Sequence, residues 1–301
     1  MGTLYGRRVR LTISTPSSSS TDYHSTLRDE LEVNGGVGGG QEKPGLRVKV
    51  TIKKTDGKEP NTAEFIVTNL NSDSRGMLQK KGVKVTCEAG YDSTGVSRIY
   101  RGDARTVDHI RNGSDWDTTI KCGDGERAYR FARVSESFAA GVGAGDVLTF
   151  LADASGLQIG NVPTVVANLV QRYDQGYMVS GKWKDEMDKL VQSIGYVWSI
   201  QDETLQVLLP GQANTSAIPF ISADSGLVGS PEFGAPEKKG KPALVKFTSL
   251  MMPTKPGALV HLKSLRYDGQ VRVKKADFDL DTHGQQFYTT YQGILLGQQT
   301  G

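Results

Sequence analysis

The sequence predicts a mainly β protein with one α+β module: two small β-barrel domains flanking a central α+β domain. Three observations carry that expectation. Period-two alternation of apolar and polar residues, the mark of a half-buried strand, recurs through both ends of the chain. Glycine is abundant, with 36 among 301 residues, as suits a chain of many turns. Apolar residues at helical spacing gather in one window, between residues 126 and 214. The domains follow as 1–125, 126–214 and 215–301.

In the first domain, Leu4 to Thr15 sets Val9, Leu11 and Ile13 against Arg8, Arg10 and Thr12, which predicts a strand. Pro16 and the serine run 17–20 end it. Residues 16–45 read as a polar insertion, a flexible loop or arm, because a stretch carrying Gly35, Gly36, Gly38, Gly39 and Gly40 cannot bury enough surface to fold alone. Alternation resumes over 46–52, Asp56-Gly57 marks a turn, and a strand follows from Ala63 to Thr68. Ser72 is placed to cap a short helix over 73–80, which Lys81-Gly82 ends. Strands over 83–91, 97–102, 104–110 and 116–122 complete a small barrel.

Composition shifts near Gly125. Val147, Leu148 and Leu151 have helical spacing, as do Val165, Val166, Leu169 and Val170. A third helix is expected over 184–194, with Met187, Leu190, Val191 and Ile194 on one face. It ends at Gly195, and a hairpin of 196–200 with 204–209 follows. Strands return at 243–252, 257–265, 269–280 and 285–295. A faint internal echo links the two ends: residues 81–86 can be laid against 256–261. Residues 99–102 then fall near 271–274, and Thr118-Thr119-Ile120 near Tyr288-Thr289-Thr290. Two related barrels would leave such a trace.

Hydrophobic residues at 37%, charged residues at 23% and a mean hydropathy of -0.38 suit a soluble globular chain with real cores. A net charge of +3, from 36 basic and 33 acidic side chains, supplies no basic face of the kind that displaces counterions from nucleic acid. Cys87 and Cys122 both fall in strand-like segments and read as buried free thiols. The N-terminus lacks the apolar core of a signal peptide, and no apolar run approaches the roughly 20 residues of a membrane span. The expectation is a protein made and kept soluble in the cytoplasm, without membrane or direct nucleic-acid contact.

Pro60-Asn61-Thr62-Ala63 runs into Val67-Thr68-Asn69-Leu70, and Ala89-Gly90-Tyr91, Ile99-Tyr100-Arg101-Gly102 and Gly123-Asp124-Gly125 follow. A second block holds Ser225-Gly226-Leu227-Val228-Gly229-Ser230-Pro231-Glu232, then Leu250-Met251-Met252-Pro253 with Lys255-Pro256-Gly257. In order and spacing these motifs, covering residues 46 to 290, resemble the baseplate hub proteins of contractile-tailed phages. That family includes late control protein D and is related to the hub part of type VI secretion spike proteins. The resemblance implies a structural virion protein: a homotrimeric ring beneath the tail tube, with the central spike docked under it. Two barrels per subunit would give a trimer six similar domains, so that a three-fold ring meets a six-fold tube. The implied partners are further copies of the chain, the tail tube protein, the central spike protein and, where the channel admits it, the tape-measure protein. The implied location is the tail baseplate of the virion, with host cytoplasm during assembly.

Pro60, Asn61, Asn69, Gly90, Gly102, Gly226, Gly229 and Pro231 are the structural or interaction candidates. For the glycines and Pro231 a backbone-geometry role is the plain alternative. Open strand edges are the natural docking surface, since their amides and carbonyls need partners.

Reactive chemistry finds little support. The histidines at 24, 109, 261 and 283 are scattered, without a second ligand at zinc spacing. No Gly-x-Ser-x-Gly elbow occurs. Asp279 to Gly284 imitates the start of a calcium loop, but His283 replaces an oxygen ligand and Thr290 stands where the bidentate Glu belongs. Gly141 to Asp146 resembles a phosphate loop superficially, yet Asp146 takes the third glycine's place and repels phosphate. Asp185, Glu186 and Asp188 read as a solvated helix face. No catalytic, cofactor or metal site is expected. A tail-associated enzyme acting on peptidoglycan or carbohydrate is the alternative, and a nucleic-acid-binding barrel the third reading. The basic pairs at 7–8, 53–54, 80–81, 238–239 and 274–275 are expected on solvated edges or strand faces.

Overall fold

The computed structural model describes residues 6–16, 27–37, 45–213, 218–234 and 243–296. The chain begins with β1 (Arg7–Pro16), β2 (Leu27–Val37), β3 (Val48–Thr55) and β4 (Thr62–Thr68). A short helix α1 (Ser72–Leu78) leads to β5 (Lys84–Tyr91), β6 (Gly95–Asn112) and β7 (Asp115–Gly123). The central module opens with α2 (Glu126–Phe131), β8 (Arg133–Phe138), β9 (Val142–Gly143), α3 (Ala144–Ala154) and β10 (Gln158–Ile159). It continues through α4 (Val162–Asn168), β11 (Arg172–Tyr173), β12 (Tyr177–Lys182), α5 (Trp183–Ser193), β13 (Val197–Gln201) and β14 (Thr204–Leu208). The last part holds β15 (Phe220–Ile221), a 3₁₀ turn (Ala223–Ser225), β16 (Leu227–Gly234), β17 (Leu244–Leu250), β18 (Leu259–Lys263), β19 (Asp268–Asp281) and β20 (Phe287–Leu295).

The mainly β expectation holds, but the two β regions are one sheet, and no closed barrel is found among the described residues. Thirteen strands join in the order β16-β17-β20-β19-β3-β4-β7-β6-β5-β1-β2, with β18 on β19 and β15 on β18. The bridge between the halves is β19. Its first part pairs with β18 and its last part, Lys275 to Asp281, pairs antiparallel with β3. Alternation in sequence tells which face of a strand is buried; it does not tell which strand lies beside it. One core runs under both halves, from Val9, Leu11 and Ile13 through Val50, Phe65 and Ile120 to Phe247, Phe278 and Tyr291.

The polar stretch 16–45 was expected as a loop or arm, yet it contains β2, paired antiparallel with β1 from Arg7–Val37 onward. Val33 is buried there, so the strand has a partner and a core to cover, which composition alone hides. Gly35 bridges Leu46 ahead of β3. Residues 17–26 and 38–44 lie outside the described residues. The expected strands 97–102 and 104–110 are one long strand, β6, with a bulge between Ala104 and Thr106. Asn71, not Ser72, caps α1: its side chain accepts from the Ser74 amide at 2.8 Å.

The central module has its own core, built by Leu148, Leu151, Trp183, Met187, Leu190 and Trp198. Helices at 144–154 and 183–193 and the hairpin of β13 with β14 fall where helical spacing and alternation placed them. The Trp183 indole stacks edge-on against Trp198 at 5.2 Å and donates to the Leu151 carbonyl at 2.6 Å.

Candidate interaction surfaces and a buried junction

The tip of the β13–β14 hairpin plugs the module into the sheet. Asp202 and Glu203 form its two-residue turn with φ of 57° and 60°, a left-handed geometry that normally selects Asn or Gly. The strain is offset by what the tip touches. Asp124 accepts from the Asp202 and Glu203 amides, both at 2.6 Å. Lys54, itself buried, meets Asp202 at 2.5 Å, and Lys255 approaches the other oxygen at 2.7 Å. Glu203 pairs with Lys84 and, at 2.8 Å, with Arg101.

Asn61 stitches the same junction. Its Oδ1 accepts from the Thr55 amide at 2.9 Å. Its Nδ2 faces the Ile200 carbonyl, Gln201 Oε1 and Asp124 Oδ2 at 2.9, 3.0 and 3.2 Å. Burial, then the neighbouring Asp202 carboxylate, push Asp124 up to about 7, against the opposing pull of Lys54 and the turn amides. Burial alone would raise Asp202 too, but Lys54 and Lys255 outweigh it and hold that carboxyl below its ordinary value. Of the two neighbouring carboxyls, Asp202 is the one the lysines hold charged, while Asp124 keeps its proton up to about 7.

Lys54 corrects the expectation that its basic pair is solvated. Alternation places it on the face of Val48, Val50 and Ile52, and that pattern in β3 is the signal that could have found it. Its acidic partner is 148 residues away and invisible to local reading.

Two adjoining clefts flank the 3₁₀ turn and the start of β16. The first, about 820 Å³, brings together Gly90 and Tyr91 of β5, Ser225 to Val228, and Leu250 to Pro253. Motif blocks far apart in sequence thus share one wall. The second, about 660 Å³, holds Phe220, Gly229, Ser230, Pro231 and Phe233 beside Lys263 to Arg266. Its rim is apolar, with Leu265 fully exposed and Phe220 about half exposed.

Of the candidate residues, Gly90 and Gly226 therefore line one cleft, and Gly229 and Pro231 the next. Asn61 lies inside and Pro60 is half-buried beside it. Gly102 sits under the Gly123 carbonyl, where a Cβ would come within 2.6 Å. Asn69 is exposed, has φ of 60°, and fastens the β6–β7 hairpin by donating to Asp115 at 2.9 Å and accepting from the Trp116 amide at 3.0 Å.

In that hairpin β7 stays paired with β4 as far as Asp117, while β6 has lost β5 as a neighbour beyond Asp103. Gly113-Ser114 turns it, Ile110 and Trp116 stand open, and the Arg75 guanidinium lies 4.8 Å from the Trp116 ring centroid. Sequence reading placed strands here without seeing that β5 stops short of this segment.

A family model described as Baseplate hub gp41 matches residues 30–293. Among solved structures, a tail protein from Neisseria meningitidis MC58 has a TM-score of 0.61 at 10% identity, covering 97% of this chain and 98% of that one. The 43 kDa tail protein of prophage MuSo2 from Shewanella oneidensis gives 0.59 at 9% identity, covering 85% and 94%. The E. coli c3393 protein, described as a type VI secretion component with structural similarity to T4 tail proteins gp27 and gp5, gives 0.54 at 8% identity over 86% and 76%. At these identities the likeness is one of fold. No curated protein sequence matches the chain significantly.

Proposed function

Because this chain belongs to the baseplate hub gp41 family, a family of structural phage tail proteins, we propose that three copies form a ring joining the tail tube to the central spike of a contractile tail. What supports the reading is the repeated strand order. The run β3-β4-β7-β6-β5 in one half has the same sequence order and antiparallel pairing as β16-β17-β20-β19-β18 in the other. A trimer of such chains would present six like units, the number a six-fold tube requires, while keeping three-fold symmetry for the spike. Partners on this reading are further copies of the chain, the tail tube and spike proteins, and the tape-measure protein where a channel admits it. The candidate residues along the two clefts are proposed contact positions, and the chain carries no catalytic role. It would assemble in host cytoplasm and end in the virion baseplate.

Electron microscopy of assembled particles tests the reading. Three-fold density for this chain between tube and spike is the expected result; density placed elsewhere on the particle contradicts it. Purified protein is expected to leave the turbidity of a cell-wall suspension unchanged, whereas clearing would favour the enzyme reading.

A further inference from the structure

The sheet and the central module meet on a charged seam, and the signs on its two sides are sorted. Lys54, Lys84, Arg101, Arg105 and Lys255 reach across from the sheet, and so does Lys58 from the β3–β4 loop. Their partners on the module are Asp202, Glu203, Glu126 and Asp188. Among the described residues, every ion pair that crosses the seam has its cation on the sheet and its anion on the module. Facing surfaces of opposite sign are how separate proteins recognise one another, because they attract at a distance and fix register.

Apolar cohesion is confined to either side. The core under the sheet draws on residues within 9–122 and 221–295, the module's core on residues within 128–207, and they share none. At the margin Leu208 lies over Gly257, which has no side chain to pack against it. Burying apolar surface makes two bodies cohere, whereas a buried ion pair gains little over its own desolvation. Neighbouring domains move relative to one another unless their interface is large and hydrophobic. This seam is not apolar, and its rim is wet. The Lys54–Asp202 pair is buried, while the Lys58 side chain is 51% exposed.

The two chain crossings suit a hinge. The first is Gly123-Asp124-Gly125, with Gly125 at φ 58°. The second follows Leu208 and holds Gly211 at φ 84°, with open space around it. Short links with glycine absorb the dihedral changes of a rigid-body swing. Asp124 joins hinge to plug, since it sits in the first link and accepts from the Asp202 and Glu203 amides. The hinge is therefore held while the hairpin tip is seated.

We propose that the central module is a separable body that lifts from the sheet as a unit, with the Asp202-Glu203 tip as plug and the links at Gly125 and Gly211 as hinges. Seated and lifted positions are two states of one chain, divided by the sorted charge of the seam. The inference stands apart from the ring reading, and neither requires the other.

Hydrogen exchange on the full chain tests it. The amides of Asp124, Asp202 and Glu203 are bonded at the seam, to the Asn61 carbonyl and to the Asp124 carboxyl. They should exchange through a smaller opening than the amides of α3 and β4, with protection at least about tenfold lower. That opening should grow between about 0.05 and about 0.5 M salt, because screening weakens attraction across the seam.

A cross-link separates a lifting module from a tip that frays alone. Lys58 already reaches α5 at Asp188, one turn from the exposed Asp185. The variant Lys58→Cys, Asp185→Cys puts thiols on both sides of the rim, where a short flexible bis-maleimide joins them. The native Cys87 and Cys122 are buried. Joined, the variant should gain at least about tenfold protection at Asp124, Asp202 and Glu203 over the same variant with capped thiols. Seam amides as protected as those of α3 and β4 overturn the proposal, and so does an opening indifferent to salt. Low protection that the cross-link leaves unchanged also overturns it, because the tip then moves without the module.

Discussion

Asn61 shows how one side chain can tie the sheet to the β13–β14 hairpin. Its amide satisfies groups from β3, β13 and the Asp124 turn at once, with Asn61, Ile200 and Asp124 buried and Thr55 half-buried. Asn61→Ala leaves the Thr55 amide and the Ile200 carbonyl without that partner, at about 1–3 kcal/mol per buried unsatisfied group. We expect a loss of about 2–4 kcal/mol, read as a lowered urea midpoint. Asp124 makes a pH-dependent counterpart. Its carboxyl binds a proton up to about 7 when folded, against 3.8 ordinarily. Between those values the folded chain holds more protons, so this group's contribution to stability falls as pH rises, by at most about 1.4 kcal/mol per unit. Asp202 runs the other way, its stabilisation being lost only as pH drops below the ordinary carboxylate range. Urea midpoints from pH 5 to 8 should therefore flatten in Asp124→Asn relative to the parent; parallel curves would contradict the assignment. The motif around Asn61 was legible in sequence. Its partners were not, because Ile200 and Gln201 reach it only once the hairpin tip has docked.

Among the elements, strands and helices that bring several apolar residues to one of the two cores were mostly legible. The strands β2, β8 and β12, with Val33, Val134 and Val179 buried among polar neighbours, were not. The long β6 is the instructive exception. Read as two strands, it is continuous because the bulge at Arg105 turns it without ending it, and bulges leave little mark in hydrophobic pattern. Beyond that bulge the strand is covered only in part, with Val107 and His109 half-buried on one face and the other face open. Gly102 and Gly229 separate two reasons for glycine. Gly102 is buried, and an added Cβ would strike Gly123 O at 2.6 Å and the Tyr100 hydroxyl at 2.5 Å. Gly102→Ala is expected to cost about 1–3 kcal/mol through overpacking. Gly229 has φ of 71° and open space around it, so Gly229→Ala carries only the left-handed penalty of roughly 1–2 kcal/mol. Thermal midpoints of the two variants check the order: Gly102→Ala should also lose expression or cooperativity, while Gly229→Ala should stay folded.

For the whole molecule, the sequence carried a repeat as an echo of a few residues, and the same strand order recurs in the two halves of the sheet. The echo set Thr118-Thr119 against Tyr288-Thr289; the pairing sets them against Thr289-Thr290, a shift of one residue. Such a slip is what a weak match allows, since strand alternation has a period of only two. What could not be read was that the halves merge. Their shared core and the handover along β19 depend on contacts between segments more than two hundred residues apart, such as Arg47 with Asp281 at 2.7 Å. The same merging leaves the halves with unequal edges: one junction, β19 on β3, is satisfied within the chain. The central claim is thus about assembly, and mass tests it most directly. Native mass spectrometry of the purified chain mixed with its spike protein should show complexes containing three copies of the 32.6 kDa chain. A spectrum holding only single copies, at concentrations where the spike is itself assembled, would contradict it.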